Sequence, residues 1–197
     1  DRDGRLQLFL FGESTMLYND EATGRFSNFN APGMLLMTEH RDLTGFRQRK
    51  HYTYDQIQIS NGINGTNGFV EFRGAEAYLI YMEASYMKTG QIDATADKYW
   101  KAIRTRAGIP AYEGTYTQEE LRELIRHERK IELSYECHRF FDVRRWFIAH
   151  GPEGVFNQNE VGLDMSKGTG PTDQEFFTLV QTAIKRFDIQ HYFMPIK

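Results

Sequence analysis

Residues 121–146, from Leu121 to Trp146, read LRELIRHERKIELSYECHRFFDVRRW. At 100° per residue, Leu121, Leu124, Ile125, Ile131 and Tyr135 share one face of a helix. Glu128 and Glu132 project into the middle of that face, and Arg139 joins them if the helix continues. Carboxylates on an apolar stripe are costly to bury unless each gains a cation or several donors. Three readings are open. In the structural one, Glu128 and Glu132 enter an ion-pair network with Arg104 or Arg106 of the preceding helix, or with Arg139 and Arg144. Arginine suits that task because its planar fork grips a carboxylate bidentately. In the second, the pair is the acid and base of a glycoside hydrolase. In the third, they are metal ligands beside His127 or His138, although no HExxH pattern occurs. The structural reading is preferred, because ion-pair networks commonly imitate active sites. No catalytic residue, metal or cofactor is expected.

Working outward, the neighbouring segments also read as helices. Thr117 followed by Glu120 is a capping box that opens a helix from Gln118 to about Glu136. Upstream, Phe72 to Lys88 is apolar on nearly every side, as in a helix buried among others, and Gly90 stops it. Asp93 caps the next helix, which runs to about Ala107 and closes at Gly108 and Pro110. Tyr86, Gly90, Ala94, Ala96, Tyr99 and Ala102 place small residues where two helices cross and aromatics where they diverge, a tetratricopeptide grammar. A shorter helix is expected over Phe140 to Phe147, and another around Gln174 to Lys185. Arg5 to Phe11 suggests a short buried strand, as does part of Thr44 to Ile59. Asn61 to Gly68 and Gly151 to Pro171 are loops by composition. The expected fold is mainly α: tetratricopeptide-like helical pairs, irregular loop-rich segments and a few short strands. It divides one domain into an irregular part (1–68), a helical core (69–147) and a loop-rich tail (148–197).

Bulk properties narrow the function. A net charge of -3, from 24 basic and 27 acidic residues, argues against nucleic acid, which demands a basic footprint. No apolar run approaches the roughly 20 residues that span a bilayer. The single cysteine, Cys137, excludes an intramolecular disulfide and a cysteine-based zinc site. Aromatics reach 14%, on the rich side; rings beyond core needs often serve binding surfaces, but most of these are expected to fill a helical core. The start at Asp1-Arg2-Asp3-Gly4 is read as that of a fragment or processed product.

The stretch Glu128-Arg129-Lys130-Ile131-Glu132-Leu133, then Glu136, then His138-Arg139-Phe140-Phe141-Asp142-Val143-Arg144-Arg145-Trp146, resembles the "ERR-x-ELA-x-EG-x-RFFDLRRW" signature of SusD/RagB proteins. Three other motifs agree in order. Asp1-Arg2-Asp3-Gly4-Arg5-Leu6 resembles the family's "D-PRL", with Gly4 in place of Pro. Arg73-Gly74-Ala75-Glu76-Ala77-Tyr78-Leu79 with Glu83-Ala84 resembles "RYAEVLL-x-YAEA", and Ile103 to Pro110 resembles "VRxRAGIP". The closing Pro195-Ile196 resembles "PIP". Cys137 stands where the signature has Gly, a change expected to let the helix that opens at Gln118 run further.

The resemblance, to the C-terminal part of these proteins, implies a role that composition cannot supply. It implies a non-enzymatic protein, lipid-anchored on the outer face of a Gram-negative outer membrane through an N-terminal segment absent from this chain. It implies capture of oligosaccharides for a SusC-like TonB-dependent transporter, the partner it covers as a lid. The alternative is a helical-repeat scaffold that binds only protein. Sugar sites combine aromatic platforms with Asn, Asp or Arg on loops. Tyr18, Arg25 and Phe29 form the preferred ligand-binding cluster. The Asn61–Gly68 loop, Tyr112 with Tyr116, and Phe156 with Asn157 and Asn159 are further candidates, whereas Trp100 and Trp146 are expected in the core.

Overall fold

The computed structural model describes residues 3–11, 47–51, 68, 70–158, 160–164, 178–183 and 185–193. It is mainly helical: α1 (Arg5–Phe9), α2 (Gly74–Thr89), α3 (Ala94–Arg106), α4 (Gln118–Glu132) and α5 (His138–Arg145). Two short antiparallel pairs accompany them, β1 (Leu10–Phe11) with β2 (Arg47–Gln48) and β3 (Glu160–Asp164) with β4 (Thr178–Ala183). Among the described residues no helix is long and apolar enough to cross a membrane. The chain splits into two compact units, Asp1–Phe9 with Asn67–Arg139, and Leu10–Thr66 with Phe140–Lys197.

In the first unit, α2 packs on both α3 and α4. Gly90 ends α2 in a left-handed conformation (φ 73°), its N–H reaching Tyr86 O at 2.7 Å. Asp93 starts α3 by accepting from the Ala96 N–H at 2.8 Å. The reciprocal capping box of α4 forms as the sequence suggests: Thr117 Oγ1 accepts from Glu120 N, and Glu120 Oε2 accepts from Thr117 N. Gly108 N–H reaches Thr105 O and Ile109 N–H reaches Arg104 O, so a Schellman motif closes α3. Between these ends lies the core of Leu79, Met82, Ala96, Trp100, Ile103, Leu121, Ile125 and Leu133. Leu79, Met82 and Ala96 are wholly buried, and Ala96 holds the small-residue position where the helices cross.

Several expectations are corrected. Arg5–Phe9 is helical rather than extended, because Asp3 accepts from the Arg5 N–H at 2.9 Å and its carbonyl from the Leu6 N–H, which nucleates a turn. Burial of α2 is one-sided: Ala75, Leu79 and Met82 are inside, while Ile80, Tyr81 and Met87 are exposed. Helix α4 stops at Glu132, not near Glu136. Tyr135 and Cys137 both adopt left-handed backbones (φ 65° and 63°), so Cys137 turns the chain rather than extending the helix, and Tyr135 leaves the buried face.

In the second unit, β4 occupies residues expected to be helical. The β-branched Thr178, Val180 and Thr182 suit a pleated strand, and β3 supplies its ladder through Gly162↔Val180 and Leu163↔Leu179. Val143 of α5 and Ala149 are fully buried. A 3-10 helix, Ile189–Tyr192, is tied to α5 by Arg144, which donates to His191 O at 2.9 Å and to Tyr192 O. Tyr192 Oη accepts from the Ala149 N–H at 2.8 Å, and its ring stacks on Phe147 at 4.4 Å. Trp146 is half-buried, with the Arg145 guanidinium 4.8 Å from its ring centroid, rather than a core residue.

Candidate functional site

The charged stripe of α4 forms the centre of a buried network. Glu128 and Glu132, each 1% exposed, lie one turn apart on the face turned toward α2 and α3. Glu128 Oε1 accepts from Arg5 Nη1 at 2.6 Å. Its Oε2 accepts from Arg104 Nη1 at 3.0 Å and from Trp100 Nε1 at 3.2 Å. Glu132 Oε1 accepts from Arg73 Nη1 at 2.6 Å and from Arg106, and its Oε2 from Arg5 at 3.2 Å. Arg73 also donates to the Glu132 carbonyl at 2.5 Å and to Glu136 at 2.7 Å. Arg5 completes its fork on Asp3, with Nη2 2.5 Å from Oδ2. Among the described residues these contacts join four guanidiniums to four carboxylates.

Electrostatics follows from that packing. Burial works to raise the Glu132 carboxyl, but hydrogen bonds from Arg106 and Arg73 outweigh it and hold the group below the ordinary glutamate value. Asp3 is held low chiefly by its hydrogen bonds from the Arg5 side chain, against the opposing effect of burial. Burial works to lower the Arg5 and Arg73 guanidiniums, yet their carboxylate partners raise both overall. Every oxygen of Glu128 and Glu132 thus faces at least one arginine. A glycosidase acid must hold a proton near neutrality, and Glu132 is arranged to stay ionised.

The structure brings Arg104, Arg106, Glu128 and Glu132 together. Arg139 sits half-buried in the first turn of α5, beyond the left-handed turn that interrupts the helix expected to carry it onto the α4 face. Arg144 serves the 3-10 helix of the second unit instead. Arg5 and Arg73 were missed as partners of the glutamates. Each stands in one of the quoted motifs, and those motifs, far apart in sequence, meet at this one network.

Of the ligand candidates, Tyr18, Arg25 and Phe29 lie outside the described residues, as does the Asn61–Gly68 loop apart from Gly68. Asn157 is committed to the fold: its Nδ2 donates to the Gly151 and Phe187 carbonyls, and its Oδ1 accepts from Phe187 N. Phe156 stacks on Phe140 at 5.7 Å. Tyr112 and Tyr116, by contrast, line an open pocket of about 400 Å³ together with Trp100, Asp93 and Asp97.

The sequence model of the SusD family matches residues 1–197. SusD-like protein P2 of Formosa agariphila is 32% identical over 131 residues, covering 59% of this chain and 25% of its own length. SusD-like protein P25 of the same organism is 36% identical over 95 residues, covering 47% of this chain and 18% of its own. The crystal structure of a SusD-like protein from Bacteroides fragilis matches with a TM-score of 0.69 at 27% identity, over 98% of this chain and 35% of that one. The chain therefore spans a quarter or less of the two Formosa relatives and about a third of the solved one. With a family match along its whole length and the fold of a solved relative, the protein belongs to the SusD family.

Proposed function

We propose that the protein captures oligosaccharide nutrients at the bacterial cell surface, without catalysis, for import through a SusC-like TonB-dependent transporter. In the complete protein an N-terminal lipid anchor holds it to the outer face of the outer membrane. The observation that carries this reading is the convergence of the family's motif residues on one buried network inside a chain the family matches end to end. The network is scaffold: it spends its carboxylates on arginines and leaves ligand contact to loops and aromatic surfaces. That division supports a binding protein over a glycosidase built on Glu128 and Glu132.

Calorimetric titration of the full-length protein with soluble plant and host glycans tests the proposal. Saturable binding of at least one oligosaccharide is expected, with no reducing sugar released on prolonged incubation. Absence of heat with every glycan favours the protein-only scaffold, and sugar release that Glu132→Gln abolishes restores the hydrolase reading. Affinity purification from outer membranes is expected to recover a TonB-dependent transporter; its absence argues against the import role.

A further inference from the structure

We propose that the pocket at the start of α3 is a sugar subsite that takes one or two rings of a neutral glycan, an inference that rests on the glycan-capturing role above. The cavity is about 400 Å³ and partly open to solvent, within the roughly 300–1,000 Å³ span of small-ligand clefts. Trp100, 4% exposed, is one wall, and the half-buried Tyr112 and Tyr116 are another.

The aromatic wall is rigid before any ligand arrives. The Tyr112 ring lies 4.8 Å from Trp100 on one side and 3.7 Å from the Arg104 guanidinium on another. Arg104 is itself pinned by Glu128 at 3.0 Å and by the Pro110 carbonyl at 2.6 Å. Tyr116 meets Tyr112 edge-on at 6.3 Å, and its hydroxyl donates to Glu113 O. A preorganised ring loses little entropy on binding, the property a stacking platform requires.

Asp93 and Asp97 select the ligand chemistry. Asp93 accepts from the Ala96 N–H and the Tyr81 hydroxyl at the positive end of α3, and Asp97 pairs with Lys101 at 2.6 Å. Lys101 balances Asp97, and Asp93 is met by neutral donors and the positive end of α3, while each carboxylate keeps lone pairs for further donors. A cation meets Lys101 and the positive helix end, an anion meets two carboxylates, and a wholly apolar molecule strips the carboxylates of water without return. A pyranose satisfies both walls, with its C–H face on Tyr116, which Tyr112 backs edge-on, and its hydroxyls donating to the aspartates.

The test uses the full-length protein and a panel of neutral trisaccharides and hexasaccharides (malto, cello, xylo and laminari series), titrated by calorimetry against wild type, Tyr116→Ala, Asp97→Asn and Thr115→Trp. Thr115 lines the pocket and is exposed, so tryptophan there fills the cavity without disturbing the core. The expected result is a tenfold or greater loss of affinity, or loss of one equivalent of bound trisaccharide, in Tyr116→Ala and Thr115→Trp at unchanged Tm. If Tyr116→Ala lowers Tm, Thr115→Trp decides. Binding that wild type shows and Thr115→Trp leaves unchanged overturns the pocket while glycan capture stands. No binding to wild type by any panel member overturns the neutral-glycan subsite, while glycan capture itself falls only if the wider titration with plant and host glycans is also without heat.

Discussion

Arg5 Nη1 bridges two carboxylates on successive turns of α4, 2.6 Å from Glu128 Oε1 and 3.2 Å from Glu132 Oε2, from 123 and 127 residues away in the chain. Removing it leaves two nearly inaccessible carboxylates each short of a cation. Arg5→Ala is expected to cost about 3–5 kcal/mol, the range for a broken buried pair, read as a shift in the urea midpoint. Arg5→Lys recovers only part of it, because an ammonium cannot serve Asp3 and both glutamates as the planar fork does. A midpoint equal to wild type in Arg5→Ala would show that the network carries no stability.

Acid is expected to loosen the first unit. Glu132 is held below its ordinary value of 4.5 and Asp3 below 3.8. A carboxylate depressed in the folded state contributes stability that is present above the unfolded value and lost as pH falls through the folded one. Melting temperature should therefore decline as pH drops below 4.5, with Arg5 and Arg73 charged throughout. Glu132→Gln is expected to be less stable at neutral pH and to converge on wild type as pH falls below 4.5. A constant gap between the two curves at all pH values contradicts this.

Cys137→Gly is expected to stabilise the protein. Cys137 is exposed and left-handed (φ 63°), a conformation that strains any residue with a Cβ. Relief of that strain, less the added freedom of glycine in the unfolded chain, leaves a gain of up to about 1 kcal/mol. Chemical denaturation under reducing conditions measures it, and a lower midpoint than wild type rejects the explanation.

Gly4→Ala should act in the opposite direction. A Cβ at Gly4 meets the Ala107 backbone oxygen at 2.5 Å, and a backbone atom cannot swing aside. The cost is expected near 1–3 kcal/mol, as for other overpacked sites. Thermal melting of Gly4→Ala against Gly108→Ala separates close approach from conformation, because space around Gly108 is open and only its φ of 70° is strained by a side chain.

The helices were legible because their ends are written locally. Gly90, Asp93, and Thr117 with Glu120 each act within a few residues, through caps whose donors and acceptors lie in the same turn. The turn at Tyr135–Cys137 was not, since a left-handed tyrosine and cysteine contradict local preference and persist only where tertiary contacts hold them. That turn carries Glu136 to Arg73, a contact made across 63 residues. Strand β4 escaped for a related reason: its partner is a separate strand.

The sequence by itself determined that Glu128 and Glu132 sit on the buried face of a capped helix and require cations, because periodicity and the cost of burying charge are properties of the chain. Only the tertiary structure decided which cations answer. Arg104 and Arg106 come from the adjacent helix, but Arg5 and Arg73 come from segments whose approach depends on chain closure over more than fifty residues. It also decided that Tyr112 is fixed between Trp100 and Arg104 at the edge of a pocket, since a guanidinium that neutralises Glu128 on one side can back an aromatic ring on the other only once α3 and α4 have come together.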